Sequence, residues 1–203
     1  MRFRLIVLAL GTFAIGTGSF VFAGPLEGVA RDLSVSVGAA GNLVTVFAVT
    51  YAVSSPVLVT LVGSAAPRRV LVAAMAVFVL GNAAAVVAPN FGLLLLCRIL
   101  AAFGAAVFTP TALAVAAGLA SPQERGRSLS VVTGGITVSF VIGIPLGSII
   151  GTYSGWRMTF VMVAALVPTV VARIVDSNPN RYLTFTVLGL NLVGSLYFVH
   201  QVL

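Results

Sequence analysis

Charge is what this sequence has least of. Only 7% of its 203 residues are charged, lysine is absent, and the acidic residues stop at Glu27, Asp32, Glu124 and Asp176. A soluble domain carries about 25% charged residues, so water is excluded as the solvent for most of the chain. Cysteine occurs once, at Cys97, which excludes an intrachain disulfide and a thiolate metal cluster. Histidine also occurs once, at His200, and the few carboxylates fall outside the apolar blocks. No pair therefore remains for metal ligation or acid–base work inside an apolar interior. Neither a G-x-S-x-G elbow nor a G-x-x-x-x-G-K-S/T phosphate loop occurs, and with no lysine there is no Schiff base for retinal. An enzyme is the reading these absences exclude, and no cofactor or metal is implied.

What is present is apolar surface, 60% of the residues, gathered in long blocks. Blocks of about 18 or more residues read as spans of the ~30 Å hydrocarbon core. With charges and turn residues as boundaries, helices are expected near 5–23, 41–62, 70–88, 91–120, 129–152 and 156–172. The expected fold is an all-α membrane protein, a six-helix bundle over 1–172. The first block, with Arg2 and Arg4 before it and Val21-Phe22-Ala23 at its end, has the outline of a secretory signal. Its apolar run from Leu5 to Ala23 is too long for that, and it reads as a retained first helix. Pro110 inside the fourth block predicts a kink or tilt there.

The net charge of +7 comes from eleven arginines placed one or two at a time between blocks. Nucleic-acid binding would need them clustered on one polar face; dispersed in this way they are topology signals. With the amino terminus in the cytoplasm, Arg2, Arg4, Arg68, Arg69, Arg125, Arg127, Arg173 and Arg181 fall inside, and Arg31 and Arg157 outside. The positive-inside rule favours that orientation in a multi-pass cytoplasmic (inner) membrane protein. Residues 173–203 change character: Asp176-Ser177-Asn178-Pro179-Asn180 reads as a linker, and Tyr182 to Leu203 as a seventh span or a hydrophobic linker helix. Pro56 precedes Arg68 by the same interval as Pro145 precedes Arg157, a faint echo between the second and fifth helices.

Arg98 is the one arginine inside a span. An ionisable group there faces a polar interior and marks either function or a structural bond to backbone carbonyls and neighbouring hydroxyls. The fifth helix carries Gly135, Ser139, Gly143, Gly147 and Gly151 at four-residue spacing. Such a row admits a neighbouring helix closely, and Pro145 within it removes a backbone donor and permits a bend. Thr17, Ser19, Asn42, Thr45, Thr50 and Tyr51 offer polar groups to an internal cavity, or bond their own helices.

Taken together, several segments resemble the major facilitator superfamily, and within it bacterial drug:proton antiporters of the arabinose-efflux-permease type. They are Gly16 to Gly24, Pro67-Arg68-Arg69-Val70-Leu71, Arg98 with Gly104, Gly143-Ile144-Pro145-Leu146-Gly147, and Gly155-Trp156-Arg157. The resemblance covers about residues 4–172. It implies a three-plus-three inverted repeat with the transport site between two such halves. It also implies roles. Arg68 and Arg69 would form the cytoplasmic gating loop, and Arg98 would belong to proton coupling. Gly143, Pro145, Gly147 and Gly151 would be the antiporter motif, with Ser19, Asn42 and Tyr51 beside the transport pathway. Two departures stand out: Ala66 or Pro67 where the gating loop has an aspartate, and Ser19 where many relatives have a glutamate.

A complete transporter of this kind needs about twelve spans, roughly twice this length. The chain is therefore expected to be truncated, split from a partner reading frame, or a half that dimerises. The partners expected are the lipid bilayer, a small-molecule substrate, and a second six-helix half or a second copy. The rival reading is a membrane remnant or interaction module that transports nothing.

Overall fold

The computed structural model describes residues 2–21 and 24–175, with side-chain surroundings described between 3 and 167. Its described residues form α1 (Arg2–Phe20), α2 (Leu26–Asp32), α3 (Val37–Val62), α4 (Pro67–Val86) and α5 (Phe91–Leu119). Next come α6 (Arg125–Val138), a π-helical turn (Ser139–Gly143), α7 (Ile144–Tyr153) and α8 (Trp156–Val175). Helices α1, α3, α4 and α5, and the continuous rod of α6, the π turn and α7, are each long and apolar enough to cross a bilayer. Trp156–Val167 adds a shorter apolar stretch. An all-helical membrane bundle is thus what the sequence builds, while the linker and seventh span expected over 176–203 lie outside the described residues.

Several boundaries differ from expectation, each for a local reason. The second span starts at Val37 and not near 41, because the Ser36 side chain caps it by accepting from the Ala39 N–H at 3.1 Å. The third starts at Pro67, whose missing N–H costs nothing in a first turn. The fifth begins at Arg125, since an arginine can sit in a helix that projects beyond the hydrocarbon. The first ends its α-helix at Phe20, and a short α2 follows Pro25, with Val29 and Ala30 buried. Gly155, at φ +85°, turns the chain from α7 into α8, a conformation open to glycine.

Helix α5 is the centre. It lies parallel to α3, antiparallel to α4 and α1, and also touches α6. Lipid tails offer no hydrophobic incentive for helices to associate, so close approach must supply the adhesion. A methyl at Gly104 would meet the Ala74 carbonyl at 2.5 Å and the Phe78 nitrogen at 2.6 Å, and one at Gly81 would meet the Ala101 nitrogen at 2.6 Å. Backbone lies against backbone where α4 and α5 cross between these two glycines.

Pro110 sits inside α5, and its ring withholds the N–H that would bond the Ala106 carbonyl. The helix nevertheless runs on, because the Ser55 hydroxyl of α3 donates to that carbonyl at 3.0 Å. Ser55→Ala is expected to lower stability by about 0.5–1.5 kcal/mol. In the Pro110→Ala background the carbonyl regains its own amide, so the same change should be close to neutral. A double-mutant cycle on thermal unfolding in detergent checks this coupling.

Candidate functional site

The carboxyl-terminal end of α1 is gripped from two sides. On one side stands Arg98, fully buried. Its Nη1 donates to the Gly18 carbonyl at 2.9 Å, Nη2 to the Ser19 carbonyl at 3.1 Å and Nε to the Leu43 carbonyl of α3 at 3.4 Å. The guanidinium carbon lies 4.4 Å from the Phe47 ring centroid. Gly18 and Ser19 fall in the last turn of α1, where carbonyls lack intrahelical donors and the helix dipole is negative. Arg98 therefore caps α1 from a neighbouring helix, with its charge set against carbonyl dipoles.

On the other side runs the row of small residues, and its partner is α1, which lies parallel to the α6–α7 rod. A Cβ on Gly135 would fall on the Ala9 carbonyl, one on Gly143 on the Thr17 hydroxyl, and one on Gly147 on the Val21 side chain. A Cβ on Gly151 would lie 2.8 Å from the Pro25 ring, and Ser139 packs on Gly16. Thr12 ties the pair together by donating to the Val132 carbonyl at 2.6 Å. Where the sequence allowed a simple bend at Pro145, the structure has the π turn just before it, with the Ile144 N–H reaching the Ser139 carbonyl. Pro145 itself is exposed. Phe140, on the π turn, packs edge-on against Phe20 with ring centroids 5.4 Å apart.

The other expected site residues are distributed unevenly. The Ser19 side chain is buried and its hydroxyl donates to the Ile15 carbonyl at 2.7 Å, so it is the Ser19 carbonyl that meets Arg98. Thr17 is buried against Gly143, and its hydroxyl has no hydrogen-bond partner. Neither faces an open cavity. Asn42, on α3, is exposed and Tyr51 half-buried, both on the span with the least burial. Arg68 and Arg69 are exposed in the first turn of α4. The structure thus brings together α1, Arg98 and the glycine row, and leaves the loop arginines apart from them.

One cluster was not foreseen. At the same end of the bundle, beyond α1, the Trp156 indole N–H donates to Asp32 at 2.9 Å, and Arg157 lies 3.4 Å from the same carboxylate. Arg157 also donates to the Ala88 carbonyl at 3.3 Å and stacks on Trp156 at 4.2 Å. This clasp joins α2, the α4–α5 turn and the start of α8. The partner of Arg157 is 125 residues away in sequence, and no local pattern announces it. The ion pair is largely solvated and worth little, so the buried indole carries the clasp. Asp32→Ala is expected to cost about 1–3 kcal/mol by orphaning that N–H, and Arg157→Gln under about 1 kcal/mol. Melting temperatures in detergent separate the two.

A bundle of apolar spans with a buried arginine and a glycine-lined parallel helix pair is that of a polytopic membrane protein. The model of the Major Facilitator Superfamily matches residues 8–182, and the chain belongs to that family. It is 38% identical over 163 residues to a Bacillus subtilis (strain 168) protein named Uncharacterized MFS-type transporter YbcL, covering 80% of this chain and 42% of that protein. It is 38% identical over 164 residues to the Chloramphenicol resistance protein of Streptomyces lividans, covering 81% and 42%. With the Inner membrane transport protein YdhP of Escherichia coli (strain K12) it shares 34% over 166 residues, covering 82% and 43%. The chain spans less than half the length of these relatives.

Proposed function

We propose that this chain forms the amino-terminal six-helix half of a secondary transporter which, in complete form, expels small amphipathic molecules in exchange for protons. The observation that carries the reading is the double grip on α1: Arg98 holds its terminal carbonyls while the glycine row of α6–α7 lies along its flank. A helix held in this way transmits a change at a buried charge into a sliding of closely packed helices. That is the kind of coupling alternating access requires.

In this reading Arg98 belongs to proton coupling, and Gly143, Pro145, Gly147 and Gly151 set the α1 contact. Arg68 and Arg69 form the gating loop, and Asn42 and Tyr51 line one wall of the pathway. Ser19 acts through its carbonyl. The amino terminus lies in the cytoplasm, and the second wall comes from another six-helix half or a second copy. The relative named for chloramphenicol resistance supports drugs as cargo. The carboxylate-free spans favour uncharged or anionic molecules over cations.

The test is co-expression with a carboxyl-terminal half from such a relative in drug-sensitive cells. Proton-dependent efflux is expected from the pair, with loss in Arg98→Ala and none from the chain alone. Efflux by monomers of this chain, or efflux unaltered by Arg98→Ala, would refute the proposal.

A further inference from the structure

Of the 26 residues of α3 only Ala40, Leu43 and Phe47 are buried, all on one face of its first three turns. Two of the three meet the same group. The Leu43 carbonyl accepts from Arg98 Nε at 3.4 Å, and one helical turn further on the guanidinium carbon stands over the Phe47 ring, 4.4 Å from its centroid. The outer surface of α3 beyond this patch includes Val49, Val53, Val57 and Leu61, all exposed. The buried hold of α3 on the bundle is therefore centred on Arg98.

The edge and the face of a guanidinium ask for different neighbours. Its N–H groups lie in the plane, and here they go to carbonyls: Gly18 and Ser19 at the end of α1, and Leu43. Its faces carry charge but no donor, so a carbonyl set against one makes no hydrogen bond. The negative face of an aromatic ring answers that charge, with most effect where both groups are desolvated. Arg98 and Phe47 are 0% and 4% exposed. Acidic residues within the described helices are confined to α2, at Glu27 and Asp32, so α1, α3, α4, α5, α6, α7 and α8 offer carbonyl dipoles and this ring but no carboxylate.

We propose that Phe47 is a positioning residue for Arg98. Its ring holds the guanidinium by the face so that both Nη groups reach α1, and it extends the grip on α1 to α3. Leucine at position 47 would stay buried yet supply no such hold. Displacement of α3 then alters the reach of Arg98 to Gly18 and Ser19, which makes α3 a third party to the coupling assigned to Arg98. The inference rests on the transport reading only where efflux is measured.

Phe47 in the full chain is replaced, by nonsense suppression, with phenylalanines carrying one, two and three ring fluorines, which nearly keep its shape while draining negative charge from the ring face. The folded-to-unfolded ratio in detergent is expected to fall about twofold with each fluorine. Cyclohexylalanine, similar in bulk but without a π face, should fall lower still. In an Arg98→Met background the series should be level; if that variant does not fold, the same fluorines at the fully buried Phe78 should show no steady fall. Efflux by the chain co-expressed with a carboxyl-terminal half should decline in the same order. Stability that ignores fluorine number, cyclohexylalanine equal to phenylalanine, or efflux unaltered by three fluorines would each overturn the proposal. No efflux even with phenylalanine at 47 would count against the transport reading, and the stability series would still decide the role of Phe47.

Discussion

Gly135→Val is expected to prevent α1 and α6 from packing, lowering stability by roughly 2–4 kcal/mol. Gly134→Ala, one residue away, should be neutral or stabilise by up to about 1 kcal/mol. The contrast is geometric. A Cβ at Gly135 falls on the Ala9 carbonyl and on the Thr12 hydroxyl, both on the opposing helix, whereas a Cβ at Gly134 meets nothing within 4 Å. Backbone cannot move aside as a side-chain tip can, so the penalty is one of helix separation. Separation would also break the Thr12 bond to the Val132 carbonyl. Unfolding midpoints and gel-filtration profiles in detergent check the pair. Equal behaviour of the two variants would mean that α1 and α6 do not meet along this row.

The second large effect is at Arg98. Arg98→Ala is expected to cost about 3–5 kcal/mol, because it removes charge-assisted bonds to Gly18, Ser19 and Leu43 and leaves their carbonyls in an apolar interior. Arg98→Lys keeps a positive charge near the end of α1 but loses the fork that serves two adjacent carbonyls at once. It should recover no more than about half of the loss. Full rescue by lysine in a chemical or thermal unfolding series would show that charge alone matters, and that the two-pronged cap on α1 contributes little.

The spans were legible because apolar blocks of this length admit few other structures. Their ends were less so. Charged residues read as stops, yet α6 begins at Arg125 and α4 runs from Pro67 through Arg68 and Arg69, since a helix in a membrane need not end where the hydrocarbon does. Helix α2 is hidden in the sequence because its seven residues mix Leu26, Val29 and Ala30 with three charges and form no apolar block. Burial of Arg98 followed from its position, but its partners are backbone carbonyls, which no residue type advertises. The glycine row announced a close contact by its four-residue spacing, while the identity of the contacting helix depended on how the chain returns to α1. The Ser19 and Thr17 hydroxyls were offered to a cavity and instead turned inward, as short hydroxylated side chains in apolar helices often do.

The π turn solves a problem of phase. An α-helix turns about 100° per residue, so residues four apart slip about 40° at each step, and a row from 135 to 151 would wind about 160° around the rod. A straight neighbour would lose touch with it halfway. The wider turn at Ser139–Gly143 takes up the slip, so that Gly147 and Gly151 still look at α1 where Gly135 does. The phase of Gly147 and Gly151 therefore depends on the number of residues between them and the turn. Deleting one residue of α7 ahead of Gly147, such as the exposed Leu146, would rotate both glycines by about 100° away from their groove, whereas deleting one within the turn would close it to an ordinary α-helical turn and keep their phase.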